Sequence, residues 1–124
     1  MGDPNAISIV VVAHGSRAAA ANERHARMCV EVADRLGREV RPAFLELAEP
    51  TIPDAIDAAV SSGATRVVVS PHFLLPGNHT MVDIPALVDA ARDRHPGTVI
   101  ELTGHLGDDP GLVELVVARL EPWT

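Results

Sequence analysis

Four of the six histidines in this chain of 124 residues, His14, His72, His79 and His105, sit just beyond short apolar runs, as does Glu46. Side chains at the ends of neighbouring parallel strands, which lie ~5 Å apart, can converge on one point however far apart they are in sequence. His14 and His79 are the pair such convergence would bring together. Neutral imidazole binds cobalt, iron, nickel, copper or zinc and also accepts protons, whereas magnesium or calcium would want more oxygen atoms than this set offers. The chemistry indicated is therefore a divalent transition-metal site at His14 and His79. Glu46 would supply an oxygen ligand or take up protons.

Each of these residues also has a purely structural reading. Gly15 fits a tight turn and Ser16 a helix N-cap, with His14 merely held by hydrogen bonds. Arg17 reads either as a helix-surface residue or as a carboxylate clamp. Gly77-Asn78-His79-Thr80 is a glycine-led turn that could offer backbone N–H groups to an anion, a weak signal without the histidines. His72 and His105 can pack on their loops without touching an ion. His25 and His95 lie within or at the end of helical patterns and read as solvated or capping residues. Cys29, the only cysteine, rules out an internal disulfide or a cysteine-based cluster within one chain, and reads as a small core residue.

Repeated βα units would position such a set. Four short runs, Ile7 to Ala13, Glu39 to Leu45, Arg66 to Ser70 and Thr98 to Leu102, alternate with four helical patterns. The first and third are almost continuously apolar, as expected for central strands covered on both faces. Right-handed crossovers then favour a single-domain α/β fold with a four-stranded parallel sheet in the order 2-1-3-4 and helices on both faces. Ligands in such folds bind beyond the carboxyl ends of the strands, at the loops starting with His14, Glu46, Pro71 and Thr103.

The helical patterns have recognisable ends. The first runs from about Ala18 to Leu36, with Ala21, Met28, Val32 and Leu36 near one stripe and Gly37 as its stop. The second opens at Thr51-Ile52-Pro53-Asp54 and ends at Gly63. The third is expected to start with Asp83 as N-cap and Pro85 just inside, and to end at His95-Pro96-Gly97. The fourth begins at Asp109-Pro110 and is expected to bury Leu112, Leu115, Val116 and Leu120.

Composition narrows the partners. Hydrophobic residues make up 47% of the chain but aromatics only 2%, so the core must be built from Val, Leu, Ile and Ala. A net charge of −7 with no basic run argues against nucleic acid. There is no run of membrane-spanning length, and the N-terminal apolar run lacks a basic flank, so a cytoplasmic protein with neither membrane span nor signal peptide is expected.

Taken in order, Val11-Val12-Ala13-His14-Gly15-Ser16-Arg17, Ala43-Phe44-Leu45-Glu46 with Pro50, Ser70-Pro71-His72-Phe73-Leu74-Leu75-Pro76-Gly77-Asn78-His79 and Asp83-Ile84-Pro85 resemble the class II tetrapyrrole chelatases of the CbiX/SirB type. Leu106-Gly107-Asp108-Asp109-Pro110-Gly111-Leu112 resembles that family's last loop and helix. The resemblance implies ATP-independent insertion of Co²⁺, Fe²⁺ or Ni²⁺ into sirohydrochlorin or a related tetrapyrrole. No organic cofactor is implied, and Zn²⁺ is a further metal the ligand set would accept. The family's metal-binding histidines carry over onto His14 and His79, and its acidic residue onto Glu46. Ser16, Arg17 and the Gly77, Asn78 and Thr80 turn would then hold the macrocycle's carboxylates. A homodimer enclosing the ring is implied as well. The competing expectation is a chelatase-like protein without insertion activity, storing or delivering metal in a closed site to which His72 or His105 is added.

Overall fold

The computed structural model describes residue 3 and residues 5–75 and 77–124, with His79 described in its backbone only. Four parallel strands, β1 (Ile7–Ala13), β2 (Glu39–Phe44), β3 (Arg66–Pro71) and β4 (Val99–Leu102), form one sheet in the order β2-β1-β3-β4. The expected topology is the observed one. Strand register alternates the faces: Val10, Val12, Val67, Val69 and Ile100 point to one side, where they are fully or almost fully buried. Burying a Val or Ile side chain stabilises a fold by roughly 1.5–3 kcal/mol, so this valine-rich face is the energetic centre of the domain.

That face is covered by α2 (Ile52–Ser61) and α3 (Asn78–Arg94), which contribute Ile52, Ile56, Ala59, Ile84, Val88 and Ala91 to the core. The start of α2 is the one its sequence signals. The Thr51 hydroxyl accepts the Asp54 N–H at 3.3 Å, and Pro53 occupies the first turn where no N–H is needed.

On the opposite face α1 (Ala19–Leu36) packs next to β2 and ends at Gly37 in the left-handed conformation, whose N–H reaches the Ala33 carbonyl. Its buried residues are His25 and Cys29, while Ala21 and Leu36 are exposed, so the inward stripe is rotated from the expected one. His25 is therefore not a solvated residue. Its Nε2 donates to the Val11 carbonyl at 2.9 Å, and its ring packs edge-on to Phe44. One satisfied hydrogen bond makes burial of the polar ring tolerable. Cys29 lies in the core as expected, and burial pushes its thiol pKa up to about 11. His95 is the C-cap residue of α3, with Nε2 2.6 Å from Asp57 Oδ1.

Two helix expectations are corrected. α3 begins at Asn78, five residues before Asp83, with Gly77 as its cap residue and Pro85 inside it. Pro85 lacks the N–H that would bond the Met81 carbonyl, but Met81 is exposed, so water can take the vacated acceptor. The Thr80 hydroxyl donates to the Gly77 carbonyl at 2.8 Å and steadies the first turn, which lies among residues of poor helix propensity. The second correction is α4 (Gly111–Leu120). It buries nothing: Leu115, Val116 and Leu120 are 61%, 48% and 53% exposed. Its main neighbours are the short 3₁₀ turns Leu106–Asp108 and Glu121–Trp123 that flank it.

Candidate metal and ring site

The hydrogen bonding between β1 and β2 runs on past the strand ends, from the Leu45 N–H to the Ala13 carbonyl and from the Glu46 N–H to the His14 carbonyl. The two chains therefore stay side by side where their loops begin. Gly15 follows with φ +98°, and a Cβ there would sit 1.7 Å from the Glu46 carbonyl oxygen. Only glycine allows this backbone and this approach. The result is that His14 Nε2 and Glu46 Oε1 meet at 2.8 Å, both side chains a little over half exposed, at 54% and 58%.

This pair lines a cavity of about 560 Å³ beyond the ends of β1 and β2. Leu45 belongs to the same wall, and α3 supplies the other with Asp83, Ala86 and Leu87. The lining thus combines ionisable side chains with apolar ones. Because α3 starts at Asn78, His79 occupies its first turn, four residues before Asp83; the His79 side chain lies outside the described residues. Backbone placement brings His79 to the start of the helix that forms one wall. Among the described residues no three His, Cys, Asp or Glu side chains converge as a metal cage.

The other sequence-selected residues are spread around this edge. Ser16 accepts the Ala18 N–H at its hydroxyl (3.0 Å), while the Asn22 side chain takes its backbone N–H and carbonyl. Ser16 is thus not the N-cap of α1, which begins after Ala18. Arg17 is exposed, with no ion pair among the described residues. Gly77 and Asn78 are exposed at the head of α3, whereas Thr80 is buried and faces a second, smaller cavity of about 140 Å³.

His105 lines that smaller cavity too and pairs through Nδ1 with Asp108 Oδ2 at 3.2 Å. His72 packs against His25, ring centres 5.6 Å apart. Partial enclosure of its ring, and His25 beside it, hold its pKa below the ordinary histidine value. Neither His72 nor His105 lines the larger cavity. Sequence reasoning missed Asp83 as a cavity residue, because Pro85 made it look like a helix cap; its spacing of four from His79 was the available signal.

Comparison with known proteins agrees with this architecture. The CbiX family model matches residues 8–122. The chain is 39% identical to the chloroplastic sirohydrochlorin ferrochelatase of Arabidopsis thaliana, over 94% of this chain and 52% of that protein. Bacillus subtilis SirB, solved with Fe³⁺, superposes with a TM-score of 0.82 at 32% identity, covering 94% of this chain and 46% of SirB. A CbiX protein from Marinobacter aquaeolei VT8 superposes with a TM-score of 0.81 at 27% identity, covering 94% of this chain and 95% of that one. The chain thus spans about half the length of the first two and nearly all of the third.

Proposed function

Because this chain belongs to the CbiX family, we propose that it inserts a divalent metal, Co²⁺ or Fe²⁺, into sirohydrochlorin or a closely related tetrapyrrole, without nucleotide hydrolysis. The observation that carries this reading is the His14–Glu46 pair at 2.8 Å on the rim of the large cavity. Relatives named as sirohydrochlorin ferrochelatases and cobaltochelatases, and SirB structures with Fe³⁺ and with cobalt, support it.

The metal is a substrate here. With Nε2–H of His14 donating to Glu46, Nδ1 keeps the ring's lone pair for the incoming ion, and the carboxylate raises the basicity of the imidazole. His14, with His79 from α3, replaces water in the ion's shell and presents the ion to the macrocycle. Two pyrrole N–H bonds then break, their electron pairs form two N–metal bonds, and the protons leave to bases. Glu46 is one such base. Ser16, Arg17 and the Gly77, Asn78 and Thr80 segment are the candidates for holding the peripheral carboxylates, the exposed Arg17 foremost. With His72 and His105 engaged away from the large cavity, an open site fits better than a closed storage cage.

A homodimer follows from the same reading. α4 carries Val113, Leu115, Val116, Val117 and Leu120 at 44–64% exposure, and a second copy of this domain is the partner that would cover them and close the cavity from above. We place the protein in the cytoplasm. Among the described residues no helix is long and apolar enough to cross a membrane.

Purified protein, sirohydrochlorin and Co²⁺ are mixed anaerobically and the tetrapyrrole absorption is followed. The expected result is insertion faster than in the protein-free control and faster than with His14→Ala. Equal rates in all three overturn the proposal.

A further inference from the structure

The larger cavity has a third ionisable wall residue, and we infer that Asp83 accepts the second of the two protons displaced when metal enters the ring. The inference rests on the chelatase reading above and adds a residue to it. Asp83 faces the cavity from α3, across from His14 and Glu46, with Ala86 and Leu87 beneath it on the same helix. These three are the only ionisable groups lining the cavity among the described residues, and they do not converge as ligands of one ion. Asp83 thus reaches the space in which a ring would lie from the α3 wall.

The chemistry needs a second base. Metal insertion breaks two N–H bonds, and each proton must go to a base. If Glu46 takes the first, the hydrogen-bonded His14–Glu46 unit has lost its negative charge while the dication sits beside it. A second proton at that unit would add positive charge next to positive charge in a partly enclosed site, which coupled titration makes unfavourable. A second carboxylate takes that proton as a neutral acid and so adds no positive charge beside the dication. The electron pairs of both broken N–H bonds stay on nitrogen and become the bonds to the metal, one proton goes to Glu46 and one to Asp83, and nothing is oxidised or reduced. Asp83 is thus a catalytic residue of the α3 wall. His79 one turn earlier puts a metal-handling position and a proton acceptor in a single helical row.

The test compares wild type, Asp83→Asn, Asp83→Glu and Asp83→Ala for Co²⁺ insertion into sirohydrochlorin, with Co²⁺ affinity of each protein measured alone by titration. Expected are a loss of roughly 10²-fold or more in the insertion rate of Asp83→Asn, substantial retention in Asp83→Glu, unchanged Co²⁺ affinity, and acceleration of Asp83→Ala by added acetate. Undiminished insertion by Asp83→Asn overturns the inference and leaves the chelatase reading standing. So does a rate loss matched by a loss of Co²⁺ affinity, which would make Asp83 a ligand, or an Asp83→Ala variant that acetate leaves slow. An inactive wild type overturns the reading and the inference with it. Asp83→Asn is isosteric, and equal thermal midpoints for it and wild type keep a folding defect from imitating the result.

Discussion

His14 Nε2 and Glu46 Oε1 lie 2.8 Å apart although 32 positions separate them in the chain, because the β1–β2 hydrogen bonds continue beyond both strands. In the proposed reaction the carboxylate orients the imidazole and serves as a proton acceptor at once. The two roles can be separated experimentally.

Glu46→Gln keeps the shape and a hydrogen-bonding oxygen but removes the base. Insertion is expected to slow by about 10²–10⁴-fold, while the affinity for Co²⁺ alone falls by no more than about 10–100-fold, as for other outer partners of metal-binding histidines. Steady-state absorption and a metal titration on the same preparation measure both. A Gln variant as fast as wild type would remove Glu46 from the proton path.

Gly15→Ala should be far worse than an ordinary surface change. The new Cβ would lie 1.7 Å from the Glu46 carbonyl oxygen, at a backbone φ of +98° that L-residues seldom adopt. The backbone strain alone costs on the order of 1–3 kcal/mol, and the clash adds to it. Thermal unfolding should shift down by several degrees, and the insertion rate should fall with it because the displaced loop carries Glu46.

Most of the fold was legible in the sequence because its signals are local. The Val-rich runs of β1 and β3, the helix stops at Gly37 and Gly63, and the Thr51 to Asp54 helix start are short-range features that need no tertiary information. His14 and Glu46 were legible for a related reason, since strand ends in a parallel sheet share one edge. The failures arose where tertiary context overrides local preference. Pro85 reads as a helix start, yet packing of Ile84, Val88 and Ala91 against the sheet holds a helix that passes straight through it. His25 reads as solvated until the Val11 carbonyl is seen to be in reach. α4 has a core-like pattern with no core of its own to meet.

Acid should weaken one surface contact selectively. Asp57 receives Nε2 of His95 at 2.6 Å and the Arg94 guanidinium at 2.9 Å; the hydrogen bond from His95 first, then Arg94, holds its pKa below the ordinary carboxylate value of 3.8. A depressed folded pKa contributes stability that is present above the unfolded value and is lost as pH falls through the folded one. Denaturant titrations of wild type and Asp57→Asn should therefore differ above the ordinary carboxylate value and converge below about pH 3.8. Since Asp57 is 44% exposed, the neutral-pH gap should not exceed about 1 kcal/mol. A gap that persists undiminished well below that value would contradict the assignment.

Leu115→Glu and Val116→Glu place charge on α4 where its own domain buries nothing. The expected outcome is loss of self-association in sedimentation velocity, with the circular dichroism and thermal midpoint of the dissociated form matching those of diluted wild type. A wild type that sediments as a monomer at every concentration would remove the homodimer.

The Gly15 contact also stiffens the wall beside it. A backbone loop pressed against a neighbouring carbonyl has no slack in which to deform, so the wall that bears His14 and Glu46 behaves as an anvil. In the proposed reaction a macrocycle driven against it would be the softer body, and the work of docking would be stored as curvature in the ligand.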